Sequence, residues 1–327
     1  MPSPPPLSPP PRLSSFASYI ASGARLSLLF GAGVSTACGV PDFRSPGGLY
    51  ATLRPELLTA TAEERARMAA DATAVVEKSL FLKNPLPYHD LRRPFSLGTF
   101  ERRWRGTLAH AFARALSARG QLRHVFSQNI DGLERLFAFP AGEVVSVHGS
   151  VATAACEACG AAADQAAYIA AVRAQIRNIY DPADGPAAST PIACASCRAP
   201  AVKPATVLFG GQLPDAFFTA LAADFAGAAD GADGAAGADL LLVAGTSLRV
   251  FPAASIVPAA AGLPRLVINR EPVGDEIGFD PAANETDCFF AADTDAGFLE
   301  LAKLCGMVDE MKAYMPVLCD ASRALLE

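Results

Sequence analysis

Nowhere does the sequence run through the ~18 consecutive apolar residues that a membrane-spanning helix needs, so no membrane partner is expected. It also lacks an excess of positive charge. A formal net charge of −6 argues against a protein built to neutralise phosphates, and no direct, sequence-specific nucleic-acid partner is expected. The one basic cluster, Arg92, Arg93, Arg102, Arg103 and Arg105, reads as a solvated helix face. The opening MPSPPPLSPPP has neither the basic start nor the apolar stretch of a secretory signal. No acidic residue precedes Asp42, a trait of transit peptides, but dense prolines oppose the amphipathic helix such peptides form. The expected address is cytoplasmic, nuclear or both, with mitochondrial import left open. Residues 1–13 should form an extended tail, because proline removes amide donors and holds φ near polyproline II values.

Disulfide patterning is missing as well. Of eight cysteines, Cys38, Cys288, Cys305 and Cys319 are scattered and read as small buried apolar residues. The other four form Cys156-x2-Cys159-x34-Cys194-x2-Cys197. Each pair can span one edge of a tetrahedron, and four thiolates close it without an open position, so a structural Zn2+ is expected rather than a catalytic one. The spacer exceeds the usual ~15–20 residues, and the excess is assigned to a loop that includes Asp181 to Ser189.

What is present is a chain that is 51% hydrophobic, divided into strand and helix patterns. Ser15 to Ala24 reads as a short amphipathic helix, and Thr107 to Ala118 as a second helix. Strands are expected at Arg25–Phe30, Leu122–Ser127, Val144–Val147, Asp239–Ala244 and Arg265–Ile268. Strands alternating with helical segments, punctuated by Gly and Pro, imply an α/β fold: a Rossmann-like, doubly wound parallel sheet. The composition changes at 156–203, which suits a small inserted zinc-ribbon module. We place the core at 14–150 and 204–327, and the module at about 151–203, joined by part of 44–105. Ala226 to Ala238, rich in Ala, Gly and Asp, reads as a flexible surface loop.

The first strand runs into Gly31-Ala32-Gly33-Val34-Ser35-Thr36. Glycines there allow a tight turn and close approach of amides to phosphate. Thr36 stands where a hydride-transfer dehydrogenase would carry its third glycine, which tilts away from that class. Of the four histidines, His89, His110, His124 and His148, only His148 follows the carboxyl end of a strand and precedes a glycine, where parallel sheets place ligands. A neutral imidazole there is available as a base.

The loop continues through Pro41-Asp42-Phe43-Arg44-Ser45, and this run resembles the signature loop of the sirtuins, NAD+-dependent protein-lysine deacylases, in their deacetylase branch. Ser127-Gln128-Asn129-Ile130-Asp131, Val147-His148-Gly149, Lys203-Pro204 with Val207-Leu208-Phe209-Gly210, Gly245-Thr246-Ser247-Leu248 and Ile268-Asn269-Arg270-Glu271 resemble further motifs of that family. They occur in its order, from about Leu28 to Leu304. The resemblance implies a nicotinamide pocket of Ala32, Phe43, Asn129, Ile130 and Asp131, with Asn129 and Asp131 orienting the leaving amide. It implies that Gln128 and Asn269 hold ribose hydroxyls, and that Gly31, Gly33, Ser35, Arg44, Thr246 and Ser247 surround phosphates and adenosine. Asp42, Gly245 and Arg270 complete the implied NAD-binding set, with a backbone contact to adenine at Thr294. His148 is the implied base that deprotonates the ribose hydroxyls. The implied products are nicotinamide, free lysine and 2′-O-acyl-ADP-ribose.

On the acyl-lysine side the resemblance implies a tunnel of Val207, Phe209 and Phe43, and a peptide-pairing strand at Gly210-Gly211-Gln212. The family usually has two aromatics and a Gly-Glu there, whereas this chain has Leu208 and Gly211, so its peptide preference is expected to differ. His89 and Arg92 have the spacing of a Tyr-x-x-Arg pair that selects acidic acyl groups, but His is not Tyr. They read as a surface pair, and acetyl is the expected acyl group. The partners implied are acylated protein lysines, histone or non-histone, acted on by a monomer. Rival readings are a mono-ADP-ribosyltransferase or NAD glycohydrolase on the same scaffold, and a zinc-ribbon interaction protein with an inactive nucleotide fold.

Overall fold

Leu26–Phe30 is a five-residue strand, apolar except for Ser27, whose residues are all buried, and it becomes a central strand of the main sheet. The computed structural model describes residues 11–41, 48–226 and 237–327. Among these, the strands in chain order are β1 (Leu26–Phe30), β2 (Leu122–Ser127), β3 (Val144–Ser146), β4 (Gly149–Cys156) and β5 (Ala162–Ala163). They continue with β6 (Val202–Thr206), β7 (Leu240–Ala244), β8 (Arg265–Asn269) and β9 (Asp287–Ala291). Six of them form one sheet in the order β3-β2-β1-β7-β8-β9, with every pairing parallel. Strand order reverses between β1 and β7, the kind of switch point where an open α/β sheet leaves a crevice beyond its carboxyl ends.

Alternation along β1 explains the two covered faces. Leu26, Leu28 and Phe30 join one buried cluster with the helices Pro11–Ala21, Leu108–Ala118 and Thr294–Cys305. Leu29 points into the opposite cluster, with Phe217 and Phe225 of the helix Asp215–Phe225 and with Val257. Each such buried leucine or phenylalanine stabilises the fold by about 1.5–3 kcal/mol relative to exposure. Ser27 faces the second cluster as a polar exception, and its hydroxyl donates to the buried Asp224 at 2.5 Å.

A third buried cluster lies apart from the main sheet. It combines Leu58, Met68, Phe81, Tyr88 and Leu91 with Ile169, Val172 and Val202. Its frame is the antiparallel sheet β5-β4-β6 together with the helices Leu86–Phe100 and Gln165–Gln175.

Several expectations change. The first helix runs from Pro11 to Ala21 rather than from Ser15, because a helix can start at proline, whose missing N–H would have no intrahelical partner there. The sequence reading had no strand at β9. Its first residue, Asp287, is buried only because Arg265 on β8 grips both carboxylate oxygens at 2.7 Å. Arg92 and Arg93 are not a solvated face: both are buried, and Arg93 holds Ile176 O at 2.9 Å and Asp184 at 2.7 and 3.1 Å. His89 is likewise buried, so the expected surface pair with Arg92 does not exist. Most of the Ala226 to Ala238 loop, residues 227–236, and most of the N-terminal tail, residues 1–10, lie outside the described residues. Among the described residues, no helix is long and apolar enough to cross a membrane.

Candidate functional site

The carboxyl ends of β1, β2 and β7 bring three loops together. Gly31 N donates to Ala244 O at 2.9 Å and Gly33 N to Gly245 O at 2.8 Å. A Cβ on Gly31 would lie 2.5 Å from both Gly245 O and Thr246 Cβ, and one on Gly33 would lie 2.7 Å from Gly245 Cα. Such separations are inside contact distance, so glycine is required for the two loops to close on each other. The hydroxyl of Thr294, the first residue of its helix, donates to Gly33 O at 2.9 Å and braces the same loop. Gln128 Nε2 reaches Thr246 Oγ1 at 3.1 Å, linking the β2 and β7 loops.

Around this frame, Asn129 Nδ2 donates to Gly31 O at 3.0 Å and to Ser35 Oγ at 3.3 Å. Ser35 Oγ donates in turn to Asp131 Oδ2 at 2.8 Å, and Leu133 N donates to Asp131 Oδ1 at 3.0 Å. Burial raises the Asp131 carboxyl above its ordinary range, against the lowering effect of those two donors. Glu134, one turn on, is pushed up to about 7 by burial and by Asp131. For Glu134 the nearby Asp131 carboxylate adds to the effect of burial in disfavouring the ionised form.

Ala32, Ser35, Asn129, Ile130 and Asp131 line one side of a cavity of about 280 Å³. The same cavity is also lined by Arg92, Phe95, Trp104 and Tyr180. Those four were not assigned to a site from the sequence. Their distance along the chain from the glycine loop hides them, although Trp104 is the sole tryptophan.

His148 stands between β3 and β4. Its Nδ1 lies 2.8 Å from Gln128 O. A carbonyl only accepts, so Nδ1 carries the hydrogen and Nε2 is the basic nitrogen. Burial lowers the pKa of His148, more than the contact to Gln128 raises it. Gly149 has φ +72°, and a Cβ there would lie 2.0 Å from Ala205 O, so β6 can pass beside the histidine only if residue 149 is glycine. Val207 N then donates to His148 O at 2.8 Å. Phe209 exchanges backbone hydrogen bonds with Val76 O and Lys78 N, both at 2.9 Å, and its ring is exposed. Gly211 N donates to Leu208 O at 2.8 Å, so Gly210 and Gly211 form a turn in this structure.

Not every expected site residue is gathered inward. Arg270 ion-pairs with Asp293 at the surface, and Asn269 Nδ2 donates to Glu271 O at 2.9 Å. Ile130 is buried, whereas Ser247 is exposed. Asp42, Phe43 and Arg44 lie outside the described residues.

In the smaller unit, the Sγ atoms of Cys156, Cys159, Cys194 and Cys197 all lie within 4.8 Å of one another. The contacts Cys156–Cys197 at 3.7 Å and Cys159–Cys194 at 3.8 Å are far longer than a disulfide bond of ~2.05 Å. They match the ~3.8 Å edge of a tetrahedron with ~2.3 Å metal–sulfur bonds. Backbone amides of Cys197 and Ser196 point at the Cys194 sulfur and lower its pKa, whereas the neighbouring sulfurs raise that of Cys159, so it is the geometry of the four sulfurs that marks the centre. Four sulfurs complete the shell, which suits a structural Zn2+.

A doubly wound parallel sheet, a glycine loop at its switch point, a histidine with a free Nε2 and a four-cysteine centre together define a class: a Rossmann-like nucleotide-binding protein carrying a zinc module. The Sir2 family profile matches residues 31–252. The chain is 36% identical over 290 residues to the NAD-dependent protein deacetylase hst2-1 of Emericella nidulans, covering 88% of this chain and 68% of that protein. It is 33% identical over 316 residues to the NAD-dependent protein deacetylase sirtuin-2 of Danio rerio, covering 92% and 73%. To the NAD-dependent deacetylase sir2A of Dictyostelium discoideum it is 34% identical over 307 residues, 92% of this chain, but it spans only 53% of that protein's length. The chain belongs to the Sir2 family.

Proposed function

We propose that the protein is an NAD-dependent protein-lysine deacetylase, converting NAD+, an acetyl-lysine side chain and one water to nicotinamide, 2′-O-acetyl-ADP-ribose and free lysine. The observation that carries this reading is the placement of His148: a half-buried imidazole, its pKa lowered, whose Nδ1 is occupied by Gln128 O of the β2 loop, leaving Nε2 as the base.

NAD+ is here a consumed substrate, which supplies the ribose carbon that is attacked and the acceptor of the acyl group. The residues present suit it. Closely packed glycine loops form the floor at the switch point, and the cavity lined by Ala32 and Ser35 presents Asn129 and Asp131 to the nicotinamide amide. In that pocket Asn129 and Asp131 orient the leaving group, and Ile130 and Ala32 exclude water. His148 accepts a proton from the ribose hydroxyls, with Gln128 and Asn269 positioning them. Gly31, Gly33, Ser35, Gly245, Thr246, Ser247 and Arg270 surround the rest of the dinucleotide, together with Asp42, Phe43 and Arg44, and the Thr294 backbone meets adenine. Val207, Phe209, Gly210 and Gly211 receive the neutralised lysine and its peptide. The four cysteines hold zinc, which maintains the small unit and takes no part in the chemistry.

The deciding experiment incubates the protein with NAD+ and a panel of acyl-lysine peptides and follows products by mass spectrometry. Nicotinamide release coupled to 2′-O-acyl-ADP-ribose is expected. Nicotinamide release without acyl transfer would replace this reading with an NAD glycohydrolase.

A further inference from the structure

Glu157 lies between Cys156 and Cys159, yet its carboxylate binds elsewhere. Oε1 is 2.9 Å from Lys78 Nζ, and Oε2 is 3.0 Å from Lys203 Nζ. The Lys203 side chain is only 3% exposed. Its ammonium also donates to Pro204 O at 3.1 Å and Thr206 O at 2.5 Å. An ammonium so deeply buried requires a counter-charge, and Glu157 is the carboxylate that ion-pairs with it.

Both lysines are attached to the same short stretch of chain. Lys203 lies in β6, which leads directly into Val207–Phe209, and its ammonium holds the carbonyl of Thr206. Lys78 donates its backbone N–H to Phe209 O at 2.9 Å, and Phe209 N donates to Val76 O at 2.9 Å. Tyr88 OH and Thr206 Oγ1 meet at 3.0 Å, and Val207 N reaches His148 O at 2.8 Å. One carboxylate on the cysteine loop therefore grips both ends of the segment that runs from Lys203 past the histidine to Phe209.

We propose that Glu157 is a positioning residue for the acyl-lysine-binding segment Val207–Phe209, coupling the cysteine centre to substrate affinity through Lys78 and Lys203. The proposal rests on the reading that this segment receives the acyl-lysine. Its physical basis is geometric. Fixing Lys78 fixes the backbone partner of Phe209, and fixing Lys203 fixes the end of β6 at Thr206, so the wall is set before the peptide arrives and less ordering is required on binding. A role confined to holding the fold together would lower stability while leaving the ratio of peptide KM to kcat unchanged.

The test uses the full chain with zinc content verified. Glu157→Gln keeps the shape but cannot neutralise two ammonium groups. We expect retained zinc, a peptide KM raised about tenfold, kcat within about twofold and an unchanged KM for NAD+. Hydrogen exchange of the backbone amides of Lys78 and Phe209, measured on the protein alone, should accelerate in the same variant. Lys78→Met, remote in sequence from the cysteines, should move both readouts in the same direction. A zinc-retaining Glu157→Gln protein with unaltered exchange at those amides and unaltered peptide KM overturns the proposal. If Glu157→Gln loses zinc, Lys78→Met decides, and the same null result there overturns it. If the wild type turns over no acyl peptide, the deacetylase reading fails while the exchange measurement still judges the coupling.

Discussion

The Nδ1 of His148 and the carbonyl oxygen of Gln128 are 2.8 Å apart, and this single contact sets which ring nitrogen is the base. Burial lowers the imidazole pKa below its usual value, so the ring stays neutral through physiological pH. The acidic limb of kcat/KM should therefore fall below pH ~6.5. A pH–rate profile with acetyl-lysine peptide checks this, and an acidic limb at pH 7 or above would contradict it. His148→Ala should lose deacylation by a factor of at least about a hundred while still binding NAD+ in calorimetry.

Gly31→Ala should weaken both the fold and the dinucleotide site. The added Cβ would stand 2.5 Å from both Gly245 O and Thr246 Cβ, and Gly245 O is backbone that cannot rotate away. A loss of about 1–3 kcal/mol is expected, measured by urea denaturation, with NAD+ affinity reduced in parallel. Wild-type stability in this variant would show that the loops are not packed as described.

Acid should destabilise the protein through two histidines far from any chemistry. Burial lowers His89 to about 3, and burial alone does the same for His110. His110 Nδ1 accepts from Thr107 N at 3.2 Å in the first turn of its helix, a role that the protonated ring cannot fill. Both rings remain neutral in the folded state, whereas the unfolded chain takes up protons below about pH 6.5. Their contribution is thus complete above pH ~6.5 and is lost as pH falls toward 3, at about 1.4 kcal/mol per pH unit for each ring. Chemical denaturation between pH 7 and pH 4.5 reads this slope. Replacing His110 with Gln, which can still accept from the Thr107 amide, should flatten it.

Metal removal should act on structure before chemistry. The four sulfurs lie within 4.8 Å of one another, and thiolates at that spacing repel unless a cation stands between them. Chelation, with zinc loss shown by elemental analysis, should raise hydrogen exchange across β4 and β6 while β1 and β7 stay protected. Uniform protection after complete metal loss would argue against a structural role.

The sequence made some features legible because their physics is local. Leu26–Phe30 is apolar but for Ser27 and is followed by Gly31, so a buried strand feeding a phosphate-type loop was readable, as was the cysteine spacing. Other features depended on partners distant in the chain. Asp287 opens a strand only because Arg265 neutralises it, and nothing near residue 287 announces that pairing. Arg92 and Arg93 look like surface charges until the carboxylate of Asp184 and the carbonyl of Ile176 are folded against Arg93. Trp104 and Tyr180, 76 positions apart in the chain, share a cavity with Asn129 for the same reason.

The sequence by itself determined the family, the alternation of strands and helices, the four-cysteine spacing and the place of His148 between a strand and a glycine. Each follows from residue type, spacing or ordered motifs, which survive without knowledge of contacts. Only the tertiary structure decided which nitrogen of His148 is free, how the glycine loop meets Gly245, and that Glu157 joins the cysteine loop to Lys78 and Lys203. Those outcomes depend on directions and distances between segments far apart in the chain. Burial then sets their strength, since a carboxylate or ammonium removed from water is governed by the partner it meets there.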